Sequence, residues 1–281
     1  MATRILACGL TTVDATYSVT QAPGPDQKVV ASGVGYDVGG PAANAARTAH
    51  ALGAEVTLVT ALGRSAFADL ARERLEGIRL VDVAPGCHEL PVSTVLVDAL
   101  GRRAVVSVNA TRLRVTGPAP IGMSDADALL IDGHLMELSI GLASDARRRD
   151  VPTVFDGGSY KPGTEDLLAH IDLAAVSADF AFPGGGGTLR QLLDLGASVA
   201  IQTHGAGPIE VATAGETFAM EVPSVEVVDT LGAGDVFHGA LAVAAARRMN
   251  LREAIEFAEE TAAQSVQAQG AMGWAQEARL R

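Results

Sequence analysis

Apolar positions in this chain follow two patterns. Short, nearly continuous aliphatic runs alternate with longer stretches in which small apolar residues recur at helical spacing. Residues 4–9 read as a first strand closing on a glycine turn. Helical spacing starts after Pro41, runs through 42–52 and stops at Gly53. Proline near the start and glycine just past the end suit helix boundaries. Residues 55–61 read as the next strand. From residue 125 onward, aliphatic strands at 128–132, 153–156, 173–177 and 198–203 are separated by helices at 140–149, 164–170 and 189–195. Continuous aliphatic strands alternating with helices predict a mostly parallel sheet covered on both faces.

Two segments break this alternation. Residues 14–40 contain a turn cluster at 21–26 beside short β-like runs such as 28–32. Residues 93–98 and 104–108 flank a Gly101-Arg102 turn and read as a hairpin. Together they predict a small separate sheet over about 14–38 and 92–110, acting as a lid or a partner surface on a single domain spanning residues 1–281. The run from Gly184 to Gly187 predicts a loop.

Composition narrows the functional classes. A chain of 281 residues buries a sufficient core without disulfides or structural metals. A formal net charge of −12 argues against nucleic acid or an acidic membrane as partner, because such surfaces need clustered Lys and Arg. A small anionic ligand stays compatible, since a few backbone N–H groups at a helix start can hold a phosphate. Cys8 and Cys87 form neither a disulfide framework nor a metal-ligand spacing, which fits a reducing compartment. No run approaches the roughly 18 apolar residues of a membrane span, and no signal-peptide pattern opens the chain. A cytoplasmic protein is expected.

Chemistry concentrates in Val227-Val228-Asp229-Thr230-Leu231-Gly232-Ala233-Gly234-Asp235. Read locally, a short apolar strand enters a small-residue turn, and an Ala-rich helix follows. Glycine lets a ligand approach the backbone, and N–H groups at a helix start attract anions. An acid there repels phosphate unless it takes a proton from a hydroxyl beside a phosphoryl group. The same residues also read as a plain glycine turn with an acid in a first helical turn.

The stretch Asp229 to Asp235 resembles the C-terminal signature of the ribokinase-like, or PfkB, carbohydrate kinases. Gly39-Gly40-Pro41-Ala42-Ala43-Asn44, followed by Leu52-Gly53 and Val59-Thr60-Ala61-Leu62-Gly63, resembles the other signature of that family, in the family's order. The resemblance implies a three-layer α/β/α fold with a β-sheet lid, often paired between subunits as a homodimer. It implies phosphorylation of a sugar hydroxyl with ATP and Mg2+. Asp235 would be the base, and Gly232, Ala233 and Gly234 the anion hole. Asp14, Gly39, Gly40, Asn44 and Asn109 would meet the sugar, and Ser177, Thr203, Gly205, Gly232 and Gly234 the nucleotide. Asp229 and the Leu231 carbonyl would match a monovalent cation site.

Some positions depart from the family pattern. The Asn-x-x-Glu common before the ATP site is replaced by Val176-Ser177-Ala178-Asp179, which resembles the ketohexokinase-like branch and makes Asp179 a substitute candidate for magnesium. Glu259 stands where many members carry a small or amide residue near the adenine. Lys28, Arg112 and His134 offer cations for an anionic sugar substituent. Two alternatives follow. A nucleoside kinase of the same fold is disfavoured by a lid offering Tyr17 and Tyr36 as its aromatics, and an idle sugar-binding relative is disfavoured by the intact Asp235 turn.

Overall fold

The structure is a computed structural model describing residues 2–86, 89–109, 115, 117 and 119–275. The first half runs β1 (Arg4–Cys8), β2 (Thr12–Ser18), β3 (Gly33–Gly39), α1 (Pro41–Ala51), β4 (Glu55–Thr60), α2 (Ala66–Arg74), β5 (Arg79–Asp82), β6 (Val92–Val97) and β7 (Arg103–Ser107). Then follow β8 (Ala128–Ile131), α3 (Met136–Arg148), β9 (Thr153–Gly157), α4 (Thr164–Leu168), β10 (Leu173–Ser177), α5 (Thr188–Asp194) and β11 (Val199–His204). The chain closes with β12 (Gly207–Thr213), β13 (Thr217–Met220), α6 (Ala233–Ala246) and α7 (Leu251–Ser265).

A nine-stranded sheet has the order β13-β12-β11-β10-β9-β8-β1-β4-β5. It is parallel from β11 to β5, with β12 and β13 added antiparallel. The strand alternation shows why two helical layers form. Ile5 and Ala7 of β1 pack with α1, α6 and α7, while Leu6 and Cys8 pack with α3, α4 and α5. The expected α/β architecture is present. The parallel strands end at one edge of the sheet, the region where open α/β sheets place their ligands.

The second sheet, ordered β3-β2-β6-β7, is built from the two segments that broke the alternation. Arg47 on α1 ties it to the body, donating to the Asp37 carboxylate and to the Val38 carbonyl at 3.2 Å. On the body side α1 and α6 touch closely: a Cβ on Gly239 would lie 2.5 Å from the Ala45 carbonyl oxygen.

Several expectations need correction. Residues 28–32 form no strand; they lead into β3 through a loop in which Val30 is 81% exposed and Ser32 N bonds the Ser18 carbonyl at 2.9 Å. Residues 227–228 form no strand either. α3 starts at Met136, a turn before the expected 140, and α4 is shorter than 164–170. α2, β5 and the β12–β13 hairpin were not anticipated.

Candidate active site

Asp235 enters the site from the first turn of α6. Asn44, on α1, donates from Nδ2 to Asp235 Oδ2 at 2.7 Å, joining residues 191 positions apart. The two glycines ahead of α1 make this geometry possible. A Cβ on Gly40 would lie 2.4 Å from the Leu10 carbonyl oxygen, and its φ of 96° also favours glycine. A Cβ on Gly39 would lie 2.0 Å from Asp14 Oδ2, so the carboxylate fills the space that a side chain would need.

Asp14 accepts from Thr12 Oγ1 at 2.8 Å, and burial raises its pKa. It belongs to a polar row across the second sheet, in register with Asp37 on β3 and Ser93 on β6. Ser93 faces Ser107, with their hydroxyls 3.0 Å apart. Ser107 in turn donates to Asn109 Oδ1 at 2.9 Å. Asn109 is exposed, in a left-handed turn with φ 48°.

Gly232 caps α6 with φ 74°, and a Cβ there would strike Ala271 Cβ at 2.6 Å. Ala233 N–H bonds the Thr230 carbonyl at 3.4 Å, and Val236 N–H bonds Gly232 at 2.9 Å. Between them lie the N–H groups of Gly234 and Asp235, in a first turn that leaves its donors without intrahelical partners. No atom lies within 4 Å of the position a Gly234 Cβ would take, so the backbone faces open space. This turn can hold an anion, with the carboxylate of Asp235 at its rim.

Three further groups surround Asp235, and sequence reasoning missed all three. Asp132, following β8, accepts from Leu10 N at 2.7 Å, Ala42 N at 3.1 Å and His134 N at 2.9 Å. It thereby clamps the turn after β1 and the start of α1. Asp156, on β9, is fully enclosed, and burial with Asp132 nearby pushes its pKa up to about 7. His238, three residues after Asp235, places Nε2 3.1 Å from the Ala175 carbonyl oxygen, so Nε2 carries the hydrogen. Its Nδ1 faces Asp156 Oδ2 at 3.3 Å. Burial lowers the His238 pKa. Asp235 itself is pushed up to about 7, by burial first and by Asp156 second, against the opposing hydrogen bond from Asn44. A carboxylate tuned to neutral pH suits a general base. The available signal was an acid closing each of two aliphatic strands at the ligand-binding edge.

On the other side of the anion turn lies a cavity of about 460 Å³. Its lining includes Thr203, Gly205, Gly234, Phe237 and Glu259. Val225 and Val227 line it too, so this segment forms a cavity wall rather than a sheet element. Thr203 and Gly205 sit at the β11–β12 hairpin and line this cavity. Ser177 lies beside Thr203 in register but donates to the Gly158 carbonyl at 3.1 Å. Asp179 is exposed. Lys28 is exposed as well, and His134 is half-buried with its pKa lowered by burial. Arg112 lies outside the described residues.

Both oxygens of Asp229 are engaged, Oδ1 by Leu231 N and Oδ2 by Gly270 N, each at 2.9 Å. Arg103 of β7 adds a guanidinium at 3.3 Å from Oδ1 and also bonds Thr230. A bare monovalent cation does not fit beside a guanidinium. Among the described residues, no group of three or more His, Cys, Asp or Glu side chains is placed to hold a metal. Magnesium needs few protein ligands when phosphate oxygens and water supply the rest.

The family model of pfkB carbohydrate kinases matches residues 2–179 and 185–278. The chain belongs to this family. A pfkB kinase therefore carries the Asn44–Asp235 pair and the anion turn described above. Among relatives of this kinase, a ribokinase of Bacillus subtilis is 25% identical over 279 residues, covering 96% of this chain and 94% of the relative. An ATP-dependent ribose-1-phosphate kinase of Halopiger xanaduensis is 26% identical, covering 95% and 93%. Among solved structures, a ribokinase of Thermotoga maritima matches with TM-score 0.81 at 24% identity, over 100% of this chain and 99% of that one. An Arabidopsis thaliana ribokinase complexed with ribose and ATP matches with TM-score 0.77 at 23% identity, over 98% and 96%. These structural likenesses establish the ribokinase-like fold of this pfkB kinase.

Proposed function

We propose that this kinase transfers the terminal phosphoryl group of ATP to a hydroxyl, a primary one, of a small sugar or sugar derivative. The carrying observation is Asp235, held by Asn44 at the mouth of the α6 anion turn. Asp235 takes the proton from the sugar hydroxyl. The freed oxygen attacks the terminal phosphorus, the bond to the bridging oxygen breaks, and ADP leaves with that electron pair. The N–H groups in the Gly232–Gly234 turn stabilise the charge on the transferred group. Arg103, at the neighbouring Thr230, adds positive charge on the same side. Magnesium, bound with the nucleotide, supplies further charge neutralisation. Asp14, Gly39, Gly40 and Asn44 form the sugar side, with the second sheet as a lid, and Asn109 sits at its exposed end. Ser177, Thr203 and Gly205 form the nucleotide side.

Relatives acting on ribose-1-phosphate and on ribose make phosphorylated and neutral pentoses the first sugars to test. The assay is ADP release from ATP and magnesium over a panel of neutral and anionic sugars. Sugar-dependent release with at least one member is expected. Absence of ADP release with every sugar, polyol and nucleoside tried would defeat the proposal.

A homodimer through the lid is supported by the apolar residues the second sheet leaves exposed: Val34 at 50%, Tyr36 at 45%, Val105 at 56% and Val106 at 73%. Sedimentation at working concentration is expected to give twice the chain mass. A single-chain mass would remove this part of the proposal.

A further inference from the structure

Glu259 is the feature that the fold does not explain. It lies on the inner stripe of α7 with Ala254, Ile255 and Ala258, and it is 5% exposed. Its Oε1 is sealed from solvent and has no hydrogen-bond partner. Burial, with Glu256 and Glu260 on the same helix, pushes its pKa up to about 7. Enclosing an acid without a partner is costly, and the cost falls away only when something bonds to it. Glu259 lines the cavity that also touches Ala233 and Gly234 of the anion turn. Ala262, Ala263 and Val266, one or two turns further along α7, line the same space, with Ile209 and Val222 from the strands and loop. The cavity thus has a phosphate-attracting end, apolar walls suited to a flat ring, and one acidic group.

We infer that Glu259 reads the base of the nucleotide, accepting a hydrogen bond from an exocyclic amino group and so selecting adenine over 6-oxo purines. This rests on the nucleotide-dependent function proposed above. Adenine presents N6–H₂, a donor that matches a carboxylate oxygen. Hypoxanthine and guanine present O6 there, which would set its lone pairs against those of the ionised carboxylate. Sites built to bond a donor reject analogues lacking it far more strongly than apolar pockets reject a size change. The residue therefore trades stability in the empty protein for selectivity in the loaded one.

The test uses the full chain and two pairs of nucleotides. Binding of ADP and IDP is measured by calorimetry without sugar, and kcat/KM is measured with ATP and ITP. The wild type is expected to prefer the amino purine by about 100-fold in both measurements. In Glu259→Gln the side-chain amide can turn its N–H₂ toward O6, and the preference is expected to shrink about 10-fold or more. Its melting temperature without nucleotide should equal or exceed that of the wild type. Equal binding of ADP and IDP by the wild type, or an unchanged ratio in Glu259→Gln, overturns the inference while leaving the kinase reading intact. Binding of neither ADP nor IDP overturns the nucleotide reading of the cavity, and with it the proposed function.

Discussion

Asp235→Asn is expected to lower turnover by about 10²–10⁴-fold while leaving the fold and sugar binding in place. The substitution keeps an oxygen that can accept from Asn44 Nδ2, so the 2.7 Å contact tying α6 to α1 has a counterpart in the variant. What disappears is the capacity to take a proton. The loss should therefore appear in kcat, with KM for the sugar little changed. The pH dependence separates this role from a structural one. A base must be ionised to act, and burial together with Asp156 pushes Asp235 up to about 7. In the wild type, kcat/KM should fall as pH drops below about 7 and level off above it. In the variant that acid limb should vanish. A variant retaining more than a tenth of wild-type turnover with the limb unchanged would remove Asp235 from the base role.

The second large effect is on stability. Asp132→Ala should destabilise the protein by about 3 kcal/mol or more, because three backbone donors, two of them buried, lose one acceptor group together. Those donors are Leu10 N, Ala42 N and His134 N. Asp132→Asn should cost less, since an amide oxygen at the Oδ2 position can still accept from Leu10 N and Ala42 N. Urea denaturation at pH 7 measures both, with the midpoint moving and the slope constant if only the native state is affected. Activity should fall too, through the backbone. Ala42 N is near the start of α1, α1 carries Asn44, and Asn44 holds the base. A midpoint within about 0.5 kcal/mol of wild type for the alanine variant would show that water replaces the carboxylate at no cost.

The layout of fold and site was legible in unequal measure. Continuous aliphatic strands such as 128–132 and 173–177 announced themselves because both faces of a central parallel strand are buried. β12 and β13 are antiparallel additions at the sheet edge and mix polar with apolar positions, as at Glu210 and Thr217. α2 carries charges on most of its surface and buries Ala68 and Ala71, too thin a stripe to stand out. Val227 and Val228 misled because an apolar pair suggests a strand, whereas Val227 lines a cavity and Val228 is exposed. The Asp235 turn and the Gly39-Gly40 pair were legible through their resemblance to the two family signatures, while the local reading of the Asp235 turn left a plain glycine turn open; the structure adds the physical demands on the pair, namely space for Asp14 and a positive φ at Gly40. Asp132, Asp156 and His238 were not, because their meaning lies in contacts between distant strands and helices. A strand-closing aspartate is ordinary until its three N–H partners are seen.

The pairing of Asn44 with Asp235 also affects how the chain can be divided. The exposed glycines from Gly184 to Gly187 separate a segment bearing the amide from one bearing the carboxylate. Neither segment alone holds both halves of the proposed reacting centre. A chain opened at that loop would regain catalysis only as its two fragments found each other, so enzymatic output would count reassembly events. The same loop is where a fused binding pair could turn this kinase into a split reporter.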